Sequence, residues 1–355
     1  MRTLKLNLIL LLLTCPSLIF ANGDGNGCMK GKITKEKKIS KSFSVNSTAG
    51  LDVNNKFGSI YVTTWDENQT VIDVVIRVNG DKEDLVIKRL NSIDVKFGAT
   101  PALVSAVTEI GNFSGRNINM EINYTIKIPK KGTIDLNNQY GNTIVGKIYG
   151  KSVIKCQYGD LNVDELNSDS NTINLQYSGT SKINYIRSGD VNLQYSGFNC
   201  TKAGSLKLKG QYTGMTIGEV NDITYRTEYG DLNIKKGGSM TGSGDYSALR
   251  FGYVGKQLNA TCNYGEVKIG GMDTDVKNIA VNATYSAVNI TYNEAAPFDF
   301  ELSSVYGGIR GVNGFKFTDK KEKDNKIYYK GYYKSSGVNK IFVRTEYGDI
   351  NLTKG

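Results

Sequence analysis

The sequence of 355 residues contains no histidine, so triads built on histidine, zinc sites that use it and the commonest general base are all excluded. Proline is nearly absent, at four residues against 40 glycines, and no segment shows a long amphipathic helical pattern. Collagen is excluded because there is no triplet period, and intrinsic disorder because tyrosine and β-branched residues are abundant. After the first 21 residues there is no run apolar enough to cross a bilayer as a helix. No phosphate-binding loop or dinucleotide fingerprint survives inspection, since Gly23 to Gly27 precedes no strand-helix unit.

What is present begins with Arg2 and Lys5 ahead of an apolar stretch from Leu6 to Phe20, followed by Ala21 and a polar, glycine-rich segment. This pattern predicts a secretory signal peptide over 1–21, cleaved after Ala21. Thr14 precedes Cys15 where a lipoprotein signal places a smaller residue, so no lipid anchor is expected. The chain is therefore read as exported, to the periplasm, the cell surface or the extracellular space. The formal charge is +10, and loss of Arg2 and Lys5 with the leader leaves +8. The excess lies mostly in Lys30 to Lys41 and Lys316 to Lys340, which reads as solvated lysine rather than as a nucleic-acid surface.

Tyrosines recur at Tyr140, Tyr158, Tyr177, Tyr195, Tyr212, Tyr229, Tyr246, Tyr264, Tyr285, Tyr306 and Tyr347, at intervals of 18, 19, 18, 17, 17, 17, 18, 21, 21 and 41. The last interval reads as two turns of the repeat. Each tyrosine is followed by two small or polar residues. Apolar residues fall two and four places before it, as with Ile173 and Leu175, and three and five places after it, as with Leu161 and Val163. Alternation means a strand with one buried face, and the change of phase across the tyrosine means a bend. Self-similarity at this period is the mark of a solenoid.

The fold class predicted is thus all-β: a single-stranded parallel β-helix, right-handed, with about 18 residues per coil and one short helix within Asp81 to Asn91. A β-sandwich of Tyr-Gly hairpins is the alternative. Tyr140 and Tyr177 break the rule of three and five, which predicts local bulges or insertions there. The glycine found in most corners suggests a positive φ or a close backbone approach.

The expected organisation is a flexible basic leader over 22–42, a β-rich amino-terminal cap over 43–130, and the tyrosine-repeat solenoid over 131–355. A charged insertion at 315–340 is read as a hairpin folded over the carboxy-terminal edge. Phe57 to Val62 already follows the corner rule.

Four cysteines remain after processing, Cys28, Cys156, Cys200 and Cys262, and the last three occupy inward positions of the repeat. Cys156 and Cys262 are separated by several coils, on the order of 29 Å at about 4.8 Å per step, far beyond disulfide reach. Cys156, Cys200 and Cys262 are therefore expected to be buried free thiols.

The segments EINYTIKIPK at 121–130, TIDLNNQYG at 133–141 and CQYGDLNV at 156–163 resemble the bacterial putative-adhesin family, whose members are exported β-solenoids with repeated Tyr-Gly or Phe-Gly corners. The likeness extends over most of 43–355 and departs at the 315–340 insertion. It implies an extracytoplasmic parallel β-helix and carries no catalytic residues.

Nothing here assembles a catalytic, metal or cofactor site. Asp160, Asp231, Asp349 and Glu266 recur after the corner, yet glycine or alanine fills the equivalent places between them, too gapped for calcium. Arg187, Arg226, Arg250, Arg310 and Arg344 fall at differing phases, which speaks against a polysaccharide-active groove. Two functions remain: a binding module for an envelope glycan or protein, or an assembly element that self-associates through a coil edge.

Overall fold

The computed structural model describes residues 31–355, apart from Val338. The expected signal peptide and Cys28 lie outside the described residues. Each turn of the central region is built from one strand that approaches a tyrosine and one that leaves it. Approaching strands pair only with approaching strands, always in parallel: Ser152–Gln157 lies between Ile134–Gln139 and Asn171–Gln176. Departing strands do the same, with Leu161–Leu166 between Thr143–Ile148 and the first half of Ser181–Gln194. Two parallel ladders running coil over coil are a β-solenoid, and they exclude the sandwich of hairpins, whose ladders would be antiparallel.

In the middle coils a single strand runs from one tyrosine corner to the next, as in Gly197–Gln211 and Gly214–Glu228. The second bend is visible only as a break in alternation, where buried Ile183, Ile186 and Gly189 are spaced by three. Inward residues from both ladders form one continuous core from Val45 to Leu352. Thr143 fills the inward place three after Tyr140, so that coil keeps the register and no bulge occurs there. At Tyr177 an extra residue, Thr180, is accommodated in the corner, which moves the inward positions to Ser181 and Ile183.

The amino-terminal end departs from sequential stacking. The coil carrying Phe57 is flanked on one side by Leu103–Ile110 and Ile118–Pro129 and on the other by Ile134–Gln139 and Thr143–Ile148. Beyond it the strands turn antiparallel: Gln69–Gly80 lies between Ile118–Pro129 and Ile33–Ser44, and Ile93–Ala99 pairs with Leu103–Ile110. The helix Glu83–Asn91, with acidic residues in its first turn and basic ones in its last, packs on this end through buried Val86.

Residues 33–42 of the expected flexible leader therefore belong to a 12-residue strand, Ile33–Ser44, fully paired on one side. Its alternate positions Ile33, Lys35, Lys37 and Ile39 are half-buried. The lysines there keep their stems against the sheet while Lys35 meets Glu83 and Lys37 meets Asp94.

The carboxy-terminal end holds a second exception. Lys340–Glu346 inserts between Asn278–Thr284 and Phe298–Val305, parallel to both, and Ile350–Lys354 inserts between Ala287–Tyr292 and Ile309–Arg310. The coil of Tyr347 thus sits between those of Tyr285 and Tyr306, and the long interval before it is not two stacked turns. Residues 316–333 form an antiparallel hairpin whose second strand pairs with Phe298–Val305. Beneath it Tyr292, Phe298, Phe315 and Tyr333 meet at centroid distances of 5.2–5.6 Å and close the core.

Candidate functional site: a tyrosine and amide edge

All eleven repeat tyrosines, together with Phe57, line a single edge of the solenoid. Every one of them has positive φ, from 50° to 61°, a left-handed conformation that costs a residue with a side chain roughly 1–2 kcal/mol. The strained position is the aromatic residue, not the glycine after it. Glycine is required there by crowding. A Cβ at Gly141 would overlap the carbonyl of Gly58, and one at Gly159 would overlap that of Gly141. At Ser196, Thr213, Ser247 and Ser286, which take this place, the hydroxyl bonds backbone, whereas that of Ser178 is buried without a partner. Ser196 Oγ donates to the Gln194 carbonyl at 2.8 Å and accepts from the Ser178 N–H at 3.1 Å, and Thr213 Oγ1 donates to the Gln211 carbonyl at 2.9 Å.

The twelve rings form one stack, in the order Phe57, Tyr140, Tyr158, Tyr177, Tyr195, Tyr212, Tyr229, Tyr246, Tyr264, Tyr285, Tyr347, Tyr306. Neighbouring centroids are 4.7–5.1 Å apart and planes differ by 2–9°. That spacing exceeds the carbon contact distance of about 3.5–4 Å, so the rings are laterally offset, the favoured parallel arrangement. Each ring is 36–55 % exposed. The stack is roughly 50 Å long at one strand spacing per step. Its chemistry follows from the geometry: internal ring faces are covered by their neighbours, and what reaches solvent is a row of ring edges and hydroxyls. A sugar cannot lie flat on a ring within such a stack.

A second ladder runs one residue before the first. Gln139 donates to Gln157 at 2.8 Å, Gln157 to Gln176 at 3.2 Å, Gln176 to Gln194 at 3.3 Å and Gln194 to Gln211 at 3.2 Å, all side chain to side chain. Two residues earlier Asn192 donates to Asn174 at 3.1 Å. An open groove of about 470 Å³ crosses four coils here, lined by Asn174, Gln176, Asn192, Gln194, Gln211 and Arg226 among others. Sequence reasoning missed this ladder, although its signal was present as Gln-Tyr at five consecutive corners.

The three aspartates after the corner hold backbone, whereas Glu266 meets the side chains of Asn289 and Arg250. Asp160 accepts from the Thr180 N–H at 2.9 Å, Asp231 from Ala248 at 3.1 Å and Asp349 from Gly308 at 2.7 Å. The Gly308 N–H and the Arg310 guanidinium hold the Asp349 carboxyl below its ordinary value. No group of three or more acidic or cysteine side chains is placed to hold a metal among the described residues. Four of the five scattered arginines are held in ion pairs, Arg187 with Asp169, Arg226 with Glu228, Arg250 with Asp231 and Arg310 with Asp349.

Cys156, Cys200 and Cys262 are buried and unbridged. Burial pushes the Cys156 thiol up to about 11 and the Cys200 thiol up to about 12, and it raises Cys262 as well. Such thiols are poor nucleophiles.

A family model described as Toastrack DUF4097 matches residues 34–353. The chain belongs to the Toastrack DUF4097 family. Solved structures similar to this Toastrack chain include a "putative adhesin" of Parabacteroides distasonis, 11 % identical over 72 % of this chain and 93 % of that one, with a TM-score of 0.34. Another is a "putative cell adhesion protein" of Clostridium sporogenes, 13 % identical over 90 % of this chain and 100 % of that one, at 0.18. A "putative adhesin" of Bacteroides fragilis is 13 % identical over 89 % and 97 %, at 0.22. No curated protein matches the sequence. Among the described residues no helix of this Toastrack domain is long and apolar enough to cross a membrane.

Proposed function

We propose that the protein is a non-catalytic, adhesin-like binding module, exported and acting at the cell envelope on a glycan or protein component. The solenoid is proposed to wind right-handed with a coil of about 18 residues, set by the tyrosine interval. The observation that carries the functional reading is the paired tyrosine and glutamine edge: a long, half-exposed, strictly periodic surface. Core packing alone does not call for half-exposed aromatic rings.

Self-association through a coil edge is disfavoured by the strands that close the two ends. Ile33–Ser44 carries Lys35, Lys37, Lys38 and Lys41, and Lys316–Lys323 carries Lys316, Lys320, Lys321 and Lys323. Lysine on an edge strand opposes pairing with another chain.

The test is saturable binding of the labelled chain from Asn22 onward to isolated cell envelopes of its source, displaced by unlabelled protein. Binding that neither saturates nor is displaced would overturn the reading.

A further inference from the structure

We propose that the groove beside the glutamine ladder binds a linear glycan, extended along the solenoid axis. This rests on the binding-module reading above and names the ligand class of that surface.

Two parallel rows line the groove, one residue and three residues before the corner. The first is Gln176, Gln194, Gln211 and Glu228; the second is Asn174, Asn192, Lys209 and Arg226. Both advance by one strand spacing, about 4.8 Å per step, which is close to the rise of a β-linked pyranose along its chain. A carboxamide has two N–H donors and two acceptor lone pairs. The ladder uses one donor and one acceptor of Gln176 and of Gln194, so one of each remains on both of these central residues. A ligand presenting a donor and an acceptor at each repeat fits this, and sugar hydroxyls do both.

The competing occupants fit less well. A peptide adding as a strand needs a free backbone edge, and the strands here are paired on both sides. A polyanion would need cations: Arg226 is tied to Glu228 at 2.8 Å, and Lys209 alone takes part in no ion pair among the described residues. A flat aromatic ligand finds no open ring face, because the adjacent rings cover one another.

Titration calorimetry with β-1,4-linked oligomers of glucose and of N-acetylglucosamine, from one to six units, tests the proposal. Affinity should rise with length until the groove is spanned, at about four units by strand spacing, and then level off. The double variant Asn192→Ala with Gln194→Ala should lose about tenfold or more, the scale of two net hydrogen bonds. Asn233→Ala with Lys235→Ala, on the other ladder of strands, should leave affinity unchanged, and circular dichroism verifies that both variants fold. Failure of both hexamers to bind the folded protein, or equal binding by the Asn192/Gln194 variant, overturns the proposal. If envelopes bind and the oligomers do not, this inference fails alone; if envelopes do not bind, the parent reading fails.

Discussion

Replacing Tyr212 separates the two energetic roles of the corner residue. Its ring lies 4.9 Å from both Tyr195 and Tyr229, and each stacked pair contributes about 0.5–1.5 kcal/mol beyond burial. Roughly half of an aromatic side chain of about 200 Å² is buried, some 100 Å², which at about 25 cal/mol per Å² adds about 2.5 kcal/mol. Tyr212→Ala should therefore cost about 3.5–5.5 kcal/mol while retaining a Cβ at φ 53°. Tyr212→Gly loses the same contacts but is released from the left-handed penalty of about 1–2 kcal/mol. Against that stands the extra entropy of an unfolded glycine, about 0.4–1 kcal/mol. Glycine should therefore be the more stable variant by about 0.5–1 kcal/mol, the reverse of the usual order within a strand. Tyr212→Phe keeps the stack and should fall within about 0.5 kcal/mol of the parent, as a surface change does. Guanidinium midpoints followed by circular dichroism and tyrosine emission are the readout, because stacked repeats need not unfold in two states. An alanine variant as stable as the glycine variant would refute the strain assigned to the corner. A phenylalanine variant as damaged as alanine would refute the stacking term.

Three further outcomes are expected. In a Cys28→Ser chain lacking residues 1–21, Ellman's reagent at pH 8 should label none of the three remaining cysteines in the native state and all three in denaturant. The ordinary thiol value is 9.0, whereas the folded values are about 11 for Cys156 and about 12 for Cys200. Between these limits the unfolded chain has released protons that the folded chain retains, so stability is full below pH 9 and falls as pH rises toward 11 and 12; a midpoint that climbs in that window would contradict the burial. Replacing Lys320, Lys321 and Lys323 together by valine should produce concentration-dependent association in sedimentation velocity, since it strips charge from an exposed edge strand; an unchanged monomer would show that those lysines do not guard the edge.

The repeat was legible because its signals are local. Ile173 and Leu175 before Tyr177, or Leu161 and Val163 after Tyr158, declare their faces by alternation alone, and the structure buries all four. Of the two readings of the corner glycine, close backbone approach holds, since the neighbouring coil's carbonyl crowds positions 141 and 159, while the positive φ belongs to the aromatic residue before it. The strand at 33–44 was hidden because lysine composition outweighed the weaker alternation of Ile33, Ile39 and Phe43. The glutamine ladder went unread because an outward polar residue satisfies alternation whatever its identity; only its repetition beside each tyrosine distinguishes it.

Stacking order follows the sequence from Tyr140 to Tyr285 but could not be read at the two ends, for a physical reason. Most coils carry the same corner and the same inward phase, so the repeat pattern does not by itself choose which coil lies on which. Tyr347, followed by Gly348, Asp349 and Ile350, fits between Tyr285 and Tyr306 as well as it would fit at the end. That interchange has a structural consequence. With the last strands of the chain inside the stack, Phe298–Val305 becomes the edge, and the hairpin at 316–333 is what covers it. Each end of the solenoid thus carries an antiparallel edge strand bearing lysine, Ile33–Ser44 at one and Lys316–Lys323 at the other, and the internal ring faces are closed by one another. On the proposed binding reading, the surface for recognition is the long side, where ring edges, hydroxyls and carboxamides repeat at the strand spacing. A partner suited to it must itself be extended and periodic along the axis.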